Sequence, residues 1–255
     1  MKEFLETEFP IFPEHALENT IEILGDGSLP LIITIPHDGD LSELDGVKLP
    51  YQLSQGKRDL AVRKIGYEIY HFMTERYGKT PLFINQLVHR RRITPQIAQF
   101  YDQTVIEALK SSIYQKSLLF IDLHGCTKQP YFGTYDLIAG TAHRRTVKET
   151  TLDYDLEEFL TQRGYRVYIP SSVPKEGEVW GATLERTLMQ KMLRADLPHV
   201  VGMQIEIARW FRTPEDNGIA KGTKLSSNLA DCFYHLAEKA LQKNIPYIPL
   251  KTAAD

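Results

Sequence analysis

Four short apolar runs, each closed by a turn signal and followed by a helical stretch, set the strongest constraint on what this chain folds into. They are Leu29–Pro36, Pro81–Val88, Ser117–Leu123 and Val200–Ile207. Runs this short, rich in Ile, Val and Phe, read as strands buried on both faces. Tyr135–Ala139 and Tyr165–Ile169 are weaker candidates. Between them lie helical patterns over Arg58–Tyr77, Gln96–Ser111, Leu152–Gln162, Gly181–Ala195 and Ser226–Lys243. In Gln96–Ser111, for instance, Ile97, Tyr101, Val105 and Leu109 recur every four residues, which builds one apolar stripe. Strands alternating with helices imply an α/β fold with a largely parallel sheet covered on both faces.

The 255 residues carry no repeat, no low-complexity stretch and no Gly/Ser-rich linker, so one domain over 1–255 is expected. Usage is ordinary globular, with 42% hydrophobic and 25% charged residues. A net charge of -3 gives no reason to expect a nucleic-acid partner. No stretch approaches the roughly 20 apolar residues of a membrane span, and no membrane partner is expected. Two cysteines, Cys126 and Cys232, are too few for a disulfide-stapled secreted domain, and the N-terminus lacks the basic start and apolar run of a signal peptide. A cytoplasmic protein is the resulting expectation.

Open α/β sheets bind ligands beyond the carboxyl ends of their strands. There the chain places Pro36-His37-Asp38-Gly39-Asp40, Asp122-Leu123-His124-Gly125 and Gln204-Ile205-Glu206. Two histidines and a glutamate from three separate strands make a donor set that suits a catalytic zinc ion, which favours imidazole and carboxylate and keeps one position open. Asp122 is read as facing away from His124, with a backbone or neighbouring group to orient. Gln204 and Glu206 fall on one strand face. An unpaired glutamate inside so apolar a run would be costly. The competing reading of Glu206 is a structural ion pair with Arg209 or Arg212. The run His89-Arg90-Arg91-Arg92 also follows a strand. It is either a solvated patch or a fork for a substrate carboxylate. Cys126 reads as a packing residue rather than a nucleophile. Tyr131, Phe132 and Trp180 are candidates for the pocket wall and equally for the core.

These pieces, taken in order, resemble the N-formylglutamate amidohydrolase family, itself similar to zinc carboxypeptidases and aspartoacylase-type deacylases. IPHDG resembles the family's Pro-His-x-Gly motif, and Lys57-Arg58-Asp59 its later acid. INQLVHRRR resembles a further segment and FIDLHG the Asp-x-His motif. GEVWGATLER followed by GMQIEIARWFR resembles its Gly-containing loop and Gln-x-Glu-Ile strand. The likeness runs from about Leu29 to Arg212. It implies a three-layer α/β/α sandwich with a mixed, mostly parallel sheet of the phosphorylase/hydrolase-like type. It also implies metal-dependent hydrolysis of a small N-acyl amino acid. One Zn²⁺ is then expected on His37, His124 and Asp59, with Asp40 as the alternative third ligand and Glu206 as general base. The relatives' Asn-Arg pair is absent, since Ile93-Thr94-Pro95 follows the arginines. The carboxylate-binding residue is therefore Arg90 or Arg92, or the substrate differs. A zinc carboxypeptidase or poly-γ-glutamate hydrolase is the rival enzyme. An inactive metal- or ligand-binding member of the fold is the rival outside catalysis.

Overall fold

The computed structural model describes residues 9–52, 58–112, 117–127, 134–147, 150–170, 182, 184–214 and 217–242. In chain order the elements are α1 (Glu14–Glu18), β1 (Ile21–Leu24), β2 (Leu31–Ile35), β3 (Glu43–Leu44), β4 (Val47–Lys48), α2 (Val62–Tyr77), β5 (Leu82–Gln86), α3 (Pro95–Ser111), β6 (Leu118–Cys126), β7 (Leu137–Gly140), α4 (Leu152–Thr161), β8 (Val167–Tyr168), α5 (Leu188–Arg194), β9 (Val200–Ala208) and α6 (Gly218–Gln242). Short 3₁₀ turns cover Arg90–Arg92 and Arg209–Phe211.

A seven-stranded sheet in the order β1-β5-β2-β6-β9-β7-β8 carries the molecule. The four apolar runs are its centre: β5, β2, β6 and β9 are mutually parallel neighbours. β1 and β7 join antiparallel at either side, and β8 runs parallel to β7. The fold is thus α/β with a mixed, mostly parallel sheet, as expected.

Because side chains alternate along a strand, each central strand feeds two cores. The odd-numbered residues, among them Ile33, Ile121, Met203 and Ile205, pack with Val62 and Ile69 of α2, Leu156 of α4 and Leu229 and Phe233 of α6. The even-numbered Ile32, Ile84, Phe120 and Val200 pack with Tyr101 and Val105 of α3 and Met189 and Met192 of α5. Helices therefore cover both faces.

Helix starts differ from the sequence expectation for physical reasons. Helix α2 begins at Val62 rather than Arg58, because Ala61 takes a left-handed conformation (φ 64°) and the residues before it turn Asp59 inward. The side chain of Asp38 accepts the Arg63 N–H at 2.7 Å, capping α2 from a distant loop. Helix α3 starts at Pro95, with Thr94 Oγ1 accepting the Ile97 N–H at 3.3 Å and proline at the first helical position. Helix α5 starts at Leu188, later than Gly181, which itself lies outside the described residues. Helix α6 begins eight residues before Ser226, at Gly218. No helix among the described residues is long and apolar enough to cross a membrane.

Candidate functional site

At the carboxyl ends of β5, β2, β6 and β9 the even-numbered face ceases to be apolar and opens into a cleft of about 680 Å³. Its wall includes His37, Arg90, Asp122, His124, Gln204 and Glu206. His37 follows β2 directly after Pro36, and its carbonyl accepts the Asp59 N–H at 3.1 Å. The loop after β2 is pinned on its other side, where Asp38 takes Arg58 Nε at 2.7 Å. Gly39 is required here: a Cβ would stand 2.3 Å from the Leu87 carbonyl.

The two histidines meet edge to face, with ring centroids 5.0 Å apart and planes at 70°. His37 Nδ1 is buried and finds no hydrogen-bond partner among the described residues. Burial, joined by the charges of His124 and Arg90, holds this imidazole well below its ordinary pKa. It is therefore neutral, the form that ligates metals. His124 Nε2 donates to Asp122 Oδ2 at 2.9 Å, and Thr34 Oγ1 donates to Asp122 Oδ1 at 2.7 Å. Asp122 thus faces His124 rather than away from it. Residues two apart on a strand share a face, so this pairing was available from spacing alone. Its effect is to fix the His124 ring with Nδ1 turned toward Asp59, 3.5 Å from Oδ2. Burial alone would keep His124 neutral, yet Asp122, Asp59 and Glu206 together push it well above its ordinary pKa.

Asp59 lies behind the two rings. Its Oδ1 accepts from Arg90 Nη1 at 2.9 Å and its Oδ2 from the Gly125 N–H at 3.2 Å. Burial raises its pKa, but the His124 hydrogen bond and the charges of His124, His37 and Arg90 prevail and lower it. Of the two candidate acids, the structure brings Asp59 to the histidines and leaves Asp40 outside. Asp40 pairs with Arg63 Nη2 at 3.0 Å, its side chain 59% exposed.

Glu206 is buried on β9 opposite His124 of β6. Its Oε1 accepts from Gln204 Nε2 at 2.9 Å. Burial raises its pKa, opposed by the His124 charge. The alternative ion pair with Arg212 does not form. Arg212 instead donates to three carbonyls: Leu60 at 2.6 Å, Cys126 at 3.0 Å and Ile207 at 3.1 Å. Its guanidinium lies so close to Gly125 that a Cβ there would stand 2.4 Å from it. Cys126 is buried, and its thiol is pushed up to about 12 by that burial, with Glu206 adding to it. It is protonated packing, as expected.

The arginine run divides. Arg90 reaches the cleft, but one of its nitrogens is committed to Asp59. Arg92 is not on the cleft wall; it donates to the Leu49 carbonyl and lies over the Tyr51 ring. Lys57, Tyr131, Phe132 and Trp180 lie outside the described residues. Several wall residues escaped the sequence reading, among them Gln86 at the end of β5 and Arg186 before α5. Gln86 had a legible signal, a polar residue two after the buried Ile84 on one strand face; Arg186 had none.

Among the described residues, no group of three or more His, Cys, Asp and Glu side chains is closed around a metal position. The donor chemistry nevertheless fits one. His37 Nδ1 is an orphaned buried acceptor. The 3.5 Å between His124 Nδ1 and Asp59 Oδ2 is near the ~3.3 Å that two ligands of one tetrahedral zinc keep at bond lengths of about 2.0–2.1 Å.

Sheet order and cleft position together define an α/β fold with its site at the strand ends. Solved structures share that fold. N-formylglutamate amidohydrolase from Ralstonia eutropha superposes with a TM-score of 0.56 at 14% identity, over 88% of this chain and 99% of that one. A metallo-carboxypeptidase from Pseudomonas aeruginosa gives 0.53 at 12% identity, over 86% of this chain and 61% of that one. A gene product of Agrobacterium tumefaciens gives 0.51 at 10% identity, over 91% and 98%. No family model and no curated protein matches the sequence.

Proposed function

We propose that the protein is a zinc-dependent amidohydrolase that cleaves the amide bond of a small N-acyl amino acid. The observation that carries this reading is the orphaned His37 Nδ1 set against the His124 ring, with Asp59 behind them and Glu206 in the same cleft. The fold shared with an amidohydrolase and a metallo-carboxypeptidase supports it. His37, His124 and Asp59 would hold the ion. When bound, zinc supplies Lewis acidity and brings the pKa of its water toward neutrality.

The chain's own residues do the rest. Asp122 keeps the His124 tautomer that leaves Nδ1 open, a role buried carboxylates commonly play beside ligating histidines. Glu206 accepts the proton of the attacking water at its carboxylate and returns it to the departing amine nitrogen. Burial raises its basicity above that of an ordinary glutamate, which suits the return of the proton. Gln204 holds one carboxylate oxygen of Glu206 and so fixes which oxygen faces the cleft. Arg90 braces Asp59 and stands on the cleft wall, where its positive charge would draw a substrate carboxylate.

Elemental analysis of the purified protein, paired with hydrolysis assays on N-formyl, N-acetyl and N-succinyl amino acids, tests this. About one zinc per chain and turnover abolished by chelation are expected. A metal-free protein whose assays stay flat after zinc addition overturns it. The 680 Å³ cleft also suits a short peptide. A carboxypeptidase or poly-γ-glutamate hydrolase would cleave peptides and leave the N-acyl monomers intact.

A further inference from the structure

Two carboxamide side chains on the cleft wall each carry one buried polar atom with no hydrogen-bond partner among the described residues: Gln86 Nε2, a donor, and Gln204 Oε1, an acceptor. Their orientations follow from their other contacts. Gln86 Oε1 accepts the Val88 N–H at 3.1 Å, so the nitrogen is the atom left over. Gln204 Nε2 donates to Glu206 Oε1 at 2.9 Å, so the oxygen is left over. Gln86 is 1% exposed and Gln204 8%, and a buried polar atom left without a hydrogen bond is costly unless a ligand supplies the partner.

Gln86 ends β5 and Gln204 sits on β9, on opposite sides of His37, which follows β2, and His124 on β6. Three strand steps and a two-residue offset in register separate their backbones, about 16 Å at ~4.8 Å per step and ~3.3 Å per residue. From this we infer that the substrate lies across the strands, its scissile amide N–H toward Gln204 and a terminal hydrogen-bond acceptor on its acyl chain toward Gln86. The direction agrees with Glu206: the departing nitrogen must come to the base on β9, which leaves the acyl side for β5. The length follows as well. Two hydrogen bonds of ~2.9 Å take up only about 6 Å of that span, and the rest is beyond a formyl or acetyl group. An acyl chain of four or more carbons ending in carboxylate, met by the reach of both glutamine side chains, fills it. The substrate class is therefore an N-acyl amino acid whose acyl group ends in a carboxylate or carboxamide. This deepens the proposed function and rests on it for the direction of the amide.

The test uses zinc-loaded protein carrying Glu206→Gln, so that binding is read without turnover. Calorimetry compares N-succinylglutamate with N-(4-methylpentanoyl)glutamate, which has the same shape without the terminal oxygens, and with N-formylglutamate. The succinyl compound is expected to bind about tenfold tighter than its apolar isostere. Adding Gln86→Glu keeps the acceptor for Val88 but replaces the orphan donor with a negative oxygen, and should erase that gap. Gln86→Met serves as the second variant, with thermal melts to show that both fold. A gap that is absent, a gap unchanged in both variants, tightest binding by the formyl compound, or no binding of any of the three overturns the inference. The two readings separate on the wild-type enzyme. A binding gap with no hydrolysis of any compound defeats the chemistry and spares the subsite. Hydrolysis without succinyl preference defeats the subsite alone.

Discussion

The two faces of the central strands differ residue by residue. On the odd-numbered face Leu31, Ile33, Ile35, Leu119, Ile121, Leu123, Val201, Met203, Ile205 and Ile207 are all buried and all apolar to the strand ends. On the even-numbered face the apolar stretch stops halfway. Ile32 gives way to Thr34, Phe120 to Asp122 and His124, and Val200 to Gln204 and Glu206. Both faces hang on one set of backbone ladders, so the contrast is purely one of side chains. One face contributes hydrophobic stabilisation over nearly its whole length, interrupted by the buried Asn85 at the end of β5. The other carries polar groups at burial levels that are favourable only when each finds a partner or a ligand.

Four experiments press on that contrast. The largest effect belongs to the even face. Glu206→Gln should cut turnover on an N-acyl substrate by about 10²–10⁴-fold, while the melting temperature stays level or rises because a buried charge is gone. A variant with full activity would break the assignment of this face to chemistry. Next comes the odd face. Ile33→Ala should lower the free energy of unfolding by about 2–5 kcal/mol in a denaturant titration, with kcat/KM near wild type at low temperature. Comparable losses of both would mean that the faces are not separable. Smaller again is Asp122→Asn, which keeps the shape but weakens the hold on the His124 ring. Zinc affinity, read by competition with a chromogenic chelator, should fall by about 10–100-fold, with stability little changed.

The smallest effect is a pH dependence on the helix layer over the odd face. Asp153 of α4 is buried with one carboxylate oxygen unpaired, and burial raises its pKa against the opposing charge of Arg144. A raised carboxyl pKa means that the folded protein favours the protonated form. The stability this group confers is present in acid and lost as pH rises from the ordinary value of 3.8 through the raised one. Asp153→Asn should flatten that portion of the stability–pH curve, measured by denaturant midpoints. An unaltered slope would show that this layer tolerates ionisation.

Much of this contrast could be read in the sequence, and the part that could not has identifiable causes. The central strands announced themselves because burial on both faces leaves unbroken apolar runs. His37, His124 and Glu206 followed from the rule that ligands sit at strand ends. Gln204 was placed beside Glu206 by its two-residue spacing, and the same spacing should have placed Asp122 with His124. The choice between Asp59 and Asp40 depended on the left-handed turn at Ala61 and on Arg63, which no local pattern encodes. The separate fates of Arg90 and Arg92 depended on a 3₁₀ turn that aims adjacent arginines in different directions. The antiparallel edge strand β1 carries Glu22 and an exposed Ile23 among its four residues, too mixed to read as a buried run.

Arg212 has a consequence for how the molecule comes into being. The three carbonyls it grips belong to Leu60, the neighbour of Asp59; to Cys126, two residues beyond His124; and to Ile207, the neighbour of Glu206. A single guanidinium therefore clasps the segments that deliver Asp59, His124 and Glu206 to the cleft. It stands last among them along the chain, so a nascent polypeptide on the ribosome can carry both histidines for some time before the clasp emerges. Any truncated product ending before it would have His37, Asp59, His124 and Glu206 without the clasp that holds their segments together.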